Sequence, residues 1–135
     1  MTSQTAPEPN TGPALDPDIF AGLLELVDED DDSFVVELFD SYVTSYDQCM
    51  NGIADAIVGE DGDGMRRHAH TLKGASANVG ASHLASHAEI LQRMGEAGEI
   101  DGAQEWVEAI ADEYVRVLRE VQERVPGFSP PVPGA

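Results

Sequence analysis

Apolar residues recur every three or four positions through most of residues 16–124, which is the spacing of amphipathic helices. The longest apolar stripe runs from Phe34 to Ile57, and another runs from Trp106 to Val121. No segment of this region shows the strict apolar–polar alternation that indicates a half-buried strand. The pattern therefore predicts an all-α protein.

Capping and turn residues divide this region into one short leading helix and four longer helices. Asp16-Pro17 opens the short helix, because Asp caps helix N-termini and Pro suits the first turn. We expect the acidic run 28–32 to start the long second helix, where negative charge favours the helix dipole. Glycine-rich turns predict further helices at about 63–78, 82–97 and 101–124. Short loops imply antiparallel neighbours, so we predict an up-down antiparallel four-helix bundle with a short extra N-terminal helix.

The two ends differ in composition from the helical region. Residues 1–14 are rich in Pro, Thr, Ser and Gly, which is typical of a disordered lead. Residues 126–135 contain four prolines and cannot continue a helix, so a flexible tail is predicted there. The folded bundle is therefore expected to span residues 15–125.

Charge and cysteine content narrow the possible partners. The chain has 26 acidic and 7 basic residues, a net charge of -19, which disfavours nucleic acid and anionic membranes. The first residues have neither a basic nor an apolar stretch, so no secretory signal is expected, and no apolar run is long enough to span a bilayer. Cys49 is the only cysteine, excludes an internal disulfide, and is interpreted as a small core residue. We therefore expect a cytoplasmic monomer that binds neither nucleic acid nor membrane.

All three Lys and Arg residues that precede the fourth helix fall within RRHAHTLKGAS, residues 66–76. On a helical wheel, Ala69, Leu72 and Ser76 share the core-facing side of the third helix. His68 lies at the edge of that side and is interpreted as a structural residue. His70 lies on the opposite side and is expected to face solvent.

The surroundings of His70 suit a covalent phosphoryl group. Lys73 is one turn beyond His70, and Arg66 and Arg67 are about one turn before it, so cationic side chains can offset added negative charge. Gly74 costs about 1 kcal/mol relative to Ala inside a helix. Because Gly74 has no side chain and that of Ala77 is small, another protein can approach His70 closely over these two residues. Neutral imidazole is a nucleophile that can carry a phosphoryl group.

His70 to Ser76, followed by Val79-Gly80-Ala81, closely resembles the H-x-L-K-G-[SA]-[SA] and [LFV]-G-A signature of histidine-containing phosphotransfer (HPt) domains. The resemblance implies a four-helix bundle that carries a phosphoryl group on His70, with Lys73 stabilising its charge. Gly74, Ala77, Arg66 and Arg67 are then expected to contact the partner.

The same resemblance implies the partners. They are a sensor or hybrid histidine kinase and the receiver domains of response regulators, whose aspartates exchange the phosphoryl group with the histidine. The chain is then a phosphorelay phosphocarrier and not an enzyme. No cofactor of its own is expected, because Mg²⁺ would be held by the partner receiver domain.

Three other classes of function are alternatives to this one. A sensor kinase is disfavoured, because the sequence lacks the H-[ED]-[LI]-[RK]-x-P motif, a phosphate-binding glycine loop and residues for an ATP-binding domain. His83 and His87 are four residues apart, a spacing that permits joint ligation of a metal ion, so a metal-binding bundle remains an alternative. A helical interaction bundle that no longer transfers phosphate is the remaining alternative.

Overall fold

The computed structural model describes residues 6–8, 10–28 and 31–130. Within these residues the chain forms a bundle of four helices, α2 to α5, preceded by the short helix α1, as the sequence predicts. None of these helices is both long enough and apolar enough to cross a lipid bilayer. The helices are α1 (Pro17–Leu24), α2 (Ser33–Val58), α3 (Gly62–Asn78), α4 (Ser82–Glu96) and α5 (Ala103–Arg124).

Most residues of the predicted apolar stripes form the core, but Phe34, at the start of the α2 stripe, is exposed. On α3 the fully buried residues are Met65, Ala69, Leu72 and Ser76. The hydroxyl group of Ser76 shares a hydrogen bond of 2.8 Å with that of Tyr42 on α2, so its burial leaves no unpaired polar atom. Cys49 is a buried free thiol on α2, and burial raises its pKa.

Two glycines allow α3 and α4 to approach each other very closely. A methyl group added to Gly95 would lie 2.5 Å from the carbonyl oxygen of Gly62 and 2.7 Å from the backbone nitrogen of Arg66. Only hydrogen fits between backbones at this distance. The contact therefore fixes the position of α4 along α3, and with it the side chains that α4 presents to His70.

The turn between α3 and α4 depends on Gly80. Its φ of 85° lies in the left-handed region, where glycine is favoured. The next residue, Ala81, donates its N–H to the carbonyl of Ser76 and closes the end of α3. The sequence-based assignment of Gly80 as a helix-terminating residue is confirmed.

The acidic run ends at Asp32, the N-cap of α2, and does not form the first turn of the helix as we expected. The helix begins at Ser33, and Asp28 and Asp31 pair through their backbones in an isolated bridge before it. Asp31 accepts a hydrogen bond from the N–H of Ser33, and Asp32 accepts one from the N–H of Gly127. Residues 29 and 30 lie outside the described residues. The described aspartates thus serve as acceptors in the turn before the helix.

Part of the segment that precedes α1, which we predicted to be disordered, packs on α5. Arg116 on α5 donates to the carbonyl of Asn10, and Glu120 accepts from the N–H of Ala14. Ala14 is buried. These contacts satisfy backbone groups of residues 10–14, which composition alone cannot reveal. Residues 1–5 and 9 of the predicted lead lie outside the described residues.

The first residues of the predicted flexible tail pack against the bundle. Phe128 is buried, and its ring lies edge-on to that of Phe39 on α2, with 6.0 Å between ring centroids. Gly127 is held by the hydrogen bond to Asp32. Residues 126–128 therefore belong to the packed bundle, and residues 131–135 lie outside the described residues.

Candidate functional site

His70 lies on the exposed side of α3, whereas its neighbour Ala69 is completely buried. Gly74 and Ala77 follow on the same side, and both are exposed. A methyl group added to Gly74 would meet no atom within 4 Å. The surface next to His70 is therefore open, and no packing contact requires a glycine at position 74.

His68 occupies a different environment on the side of α3 that faces α2. It is half-buried, and its ring rests against Gly52, where an added methyl group would lie 2.5 Å from ring atoms. Gly52 thus provides a notch for the imidazole. This packing fits the interpretation of His68 as a structural residue.

A side chain from α4 orients the ring of His70. The Oε1 atom of Gln92 lies 3.2 Å from the Nδ1 atom of His70. An amide oxygen only accepts hydrogen bonds, so this contact requires the proton of the neutral ring to be on Nδ1. The Nε2 atom then carries a lone pair and is the nitrogen available for attack on phosphorus.

Gln92 was not among the residues selected from the sequence. It is separated from His70 by 22 positions, and only the packing of α4 on α3 brings the two side chains together. The signal that could have found it is its place beside Leu91, at the edge of the core stripe of α4. A polar residue there faces the neighbouring helix.

The basic residues of the site are each paired with a carboxylate. Lys73 lies 3.7 Å from Glu89 on α4, and Glu89 also pairs with Arg93 at 3.1 Å. Arg66 and Arg67 both pair with Asp63, at 2.9 and 3.1 Å.

These ion pairs leave a local excess of positive charge. Hydrogen bonds from Arg66, and then from Arg67, hold the pKa of the Asp63 carboxyl below its usual value. Two carboxylates, Asp63 and Glu89, thus face the four cations of this region, which holds four of the seven basic residues of the chain. Basic residues are therefore concentrated near His70.

The two histidines of α4, His83 and His87, pack against each other through their rings. Their ring centroids are 4.6 Å apart, and the ring of His87 also packs edge-on to Trp106 at 5.3 Å. Burial, followed by the charge of His83, lowers the pKa of His87. In the part of the chain that the structure describes, no three His, Cys, Asp or Glu side chains are arranged to hold a metal ion. Aromatic packing explains the position of both rings.

Comparisons with known proteins identify one family. The Hpt domain family profile matches residues 37–120, whereas no curated protein sequence matches significantly. Histidine-containing phosphotransfer protein B (HptB) from Pseudomonas aeruginosa is similar, with 29% identity and a TM-score of 0.71 over 84% of this chain and 96% of that chain. Phosphotransfer protein MtHPt2 from Medicago truncatula has 25% identity and a TM-score of 0.67 over 86% and 85%, respectively. The chain, most of which the family profile covers, belongs to the Hpt domain family.

Proposed function

We propose that this protein is a phosphorelay carrier in which His70 accepts the phosphoryl group. The observation that supports this most directly is the environment of His70. The ring is exposed, its Nδ1 atom faces Gln92, and the surface beyond it at Gly74 is open. A nucleophilic Nε2 atom is thus presented to a protein that docks on α3.

The transfer is a displacement at phosphorus. The lone pair of Nε2 attacks the phosphoryl group of a receiver aspartate, the bond between phosphorus and the aspartyl oxygen breaks, and the carboxylate leaves. The reaction passes through a loose, metaphosphate-like state. Nδ1 keeps its proton, and positive charge develops on the ring. The oxygen of Gln92 stabilises that charge through a hydrogen bond that strengthens as the charge grows.

The partner and the rest of the chemistry follow from this scheme. A receiver domain docks over Gly74 and Ala77, with Arg66 and Arg67 at the edge of the contact. It would supply the acidic residues that hold Mg²⁺, and the Mg²⁺ would neutralise charge on the phosphoryl oxygens. The same step in reverse passes the group to a second receiver. The protein thus acts as a carrier, without catalysing transfer from ATP.

The direct test is phosphorylation of the purified chain. We expect incubation with a phosphorylated receiver domain to place acid-labile, alkali-stable phosphate on His70, located by mass spectrometry of the intact phosphopeptide. ATP alone should leave the chain unlabelled. Acid-stable phosphate, or phosphate at a residue other than His70, would contradict the proposal.

Lys73 is proposed to neutralise the phosphoryl group. Arg93 holds Glu89 from its other side, so Lys73 can turn towards a phosphoryl group without leaving Glu89 unpaired. We expect Lys73→Ala to shorten the lifetime of the phosphorylated form or slow transfer by about tenfold, since hydrogen bonds between charged groups contribute about 1.5–3 kcal/mol. Thermal stability should change little, because exposed ion pairs contribute about 0–1 kcal/mol.

The control for Lys73→Ala is Arg119→Ala. It removes the same charge from an exposed position on α5. Rates of transfer in both directions should be unaffected. If Lys73→Ala also transfers at the rate of the unmodified protein, Lys73 has no role in neutralising the phosphoryl group.

Gly74 is proposed to keep the approach to His70 open. Gly74→Ala should raise the free energy of unfolding by up to about 1 kcal/mol, because the added methyl group meets no other atom. Gly74→Gln should be at least as stable as the natural protein but should slow transfer, because its side chain stands where the receiver docks. The measurement is a thermal melt and a transfer assay on the same preparation. Full transfer by the Gln variant would show that Gly74 does not control access.

We also propose that the carrier is a cytoplasmic monomer. The buried free thiol of Cys49 suits a reducing compartment. The large net negative charge opposes self-association. Light scattering after size-exclusion chromatography tests the monomeric state, and cell fractionation tests the location.

A further inference from the structure

Glu96, the last residue of α4, contacts the site through Gln92. The Nε2 group of Gln92 donates to the Oε1 atom of Glu96 at 3.2 Å. The other end of the same amide, Oε1, lies 3.2 Å from the Nδ1 atom of His70. The three side chains thus form a row from the end of α4 to the ring of His70.

The carboxylate of Glu96 fixes the orientation of the Gln92 amide. The amide of Gln92 can take two orientations that differ by exchange of its oxygen and its NH₂ group. An ionised carboxylate accepts hydrogen bonds and donates none. Only the orientation with NH₂ towards Glu96 makes that bond, and it directs the amide oxygen towards His70.

We infer that Glu96 is a positioning residue, which fixes the amide of Gln92 and thereby keeps the proton of the neutral His70 ring on Nδ1. This inference rests on the proposed function of His70. With the amide reversed, its NH₂ group would donate to Nδ1 and the ring proton would move to Nε2. The nitrogen that must attack phosphorus would then have no free lone pair.

The location of Glu96 supports a role outside folding. It is exposed and carries negative charge at the C-terminus of a helix, where the helix dipole favours cations. Removing the carboxylate should therefore leave stability unchanged or raise it. The effect of Glu96 on the site can thus be separated from its effect on the fold.

Glu96→Lys is the sharpest test, because an ammonium group only donates hydrogen bonds. Lys at position 96 would bind the oxygen of Gln92 and turn the NH₂ group towards His70. We expect nitrogen NMR of the unphosphorylated variant, at a pH where the ring is neutral, to show the proton on Nε2. The natural protein should show it on Nδ1. Phosphoryl transfer should fall at least about tenfold, the factor that one hydrogen bond supplies.

This expectation is opposite to that of simple electrostatics. An added positive charge near His70 would by itself stabilise a phosphoryl group and speed its uptake. Faster transfer by Glu96→Lys, with the proton still on Nδ1, would therefore overturn the inference. If this variant does not fold, Glu96→Ala replaces it and should show a mixture of both ring forms; a ring that stays wholly in the Nδ1-protonated form would overturn the inference equally.

A second substitution should rescue the site. Gln92→Glu places a carboxylate beside Nδ1. Both oxygens of a carboxylate accept hydrogen bonds, so either orientation keeps the proton on Nδ1. In this background Glu96→Lys should no longer move the ring proton, and transfer should recover relative to the single Lys variant. A double variant with the proton on Nε2 would show that position 96 acts by another route.

These measurements remain separate from the test of the proposed function. The ring proton is observed in the free, unphosphorylated protein and needs no partner. If phosphate appears on another histidine, the proposed function fails, whereas the NMR result still decides whether Glu96 orients Gln92.

Discussion

His70→Gln is expected to abolish phosphorylation by a receiver domain while leaving the bundle folded. Glutamine is close in size to histidine but has no nucleophilic nitrogen. His70 is exposed, and its one described side-chain hydrogen bond is to Gln92. Substitutions at exposed positions usually change the free energy of unfolding by less than about 0.5 kcal/mol. The measurement is phosphate incorporation beside a thermal melt.

The matched control for His70→Gln is His68→Gln, two residues away on the same helix. This variant should accept phosphate normally. It should unfold at lower temperature, because it lacks the His68 ring that fills the notch at Gly52. Labelling that persists without His70 would move the acceptor elsewhere, to His68 first. Loss of transfer in a stable His68 variant would show that His68 has a functional role.

Gly95→Ala is expected to destabilise the bundle by about 2–3 kcal/mol, which corresponds to a fall of about 10 °C in Tm. The added methyl group would lie 2.5 Å from the carbonyl oxygen of Gly62 and 2.7 Å from a backbone nitrogen. Backbone atoms cannot rotate away, so the two helices must separate. Chemical and thermal denaturation measure the loss.

The same substitution at Gly74 serves as the control for Gly95→Ala. Both glycines lie within helices, but only Gly95 faces another backbone. Opposite signs of the change in stability are therefore expected for one chemical change. Gly95→Ala should also slow transfer in the folded fraction, because separation of α3 and α4 withdraws Gln92 from His70. A Gly95→Ala protein as stable as the natural one would mean that this helix contact is not tight.

The fold and the acceptor face could be predicted because both depend on spacing within single helices. Ala69, Leu72 and Ser76 recur at the period of a helix and are buried, as the wheel predicts. The same wheel separates His68 from His70. A local pattern suffices whenever the property in question is which side of one helix a residue occupies.

The partners of His70 and Lys73 on α4 could not be predicted in this way. Gln92 and Glu89 reach α3 only at the register set by the contact between Gly62 and Gly95. Register depends on how two surfaces fit, and no spacing within one helix encodes it. The packing of Asn10 and Phe128 was missed for a related reason, since Pro- and Gly-rich composition does not show which distant side chains bind a segment.

The anchoring of both flanking segments changes where this module can be cut and joined. Arg116 and Glu120 bind the backbone of residues 10–14, and Asp32 binds Gly127. A fragment cut at residues 15 and 125, where the helical pattern starts and stops, would leave these side chains facing water and uncover Phe39 beneath Phe128. The transplantable unit therefore spans about residues 10–128. In a fusion to a receiver domain, the added linker must therefore be attached outside these two anchored segments, and its reach to His70 must be measured from them.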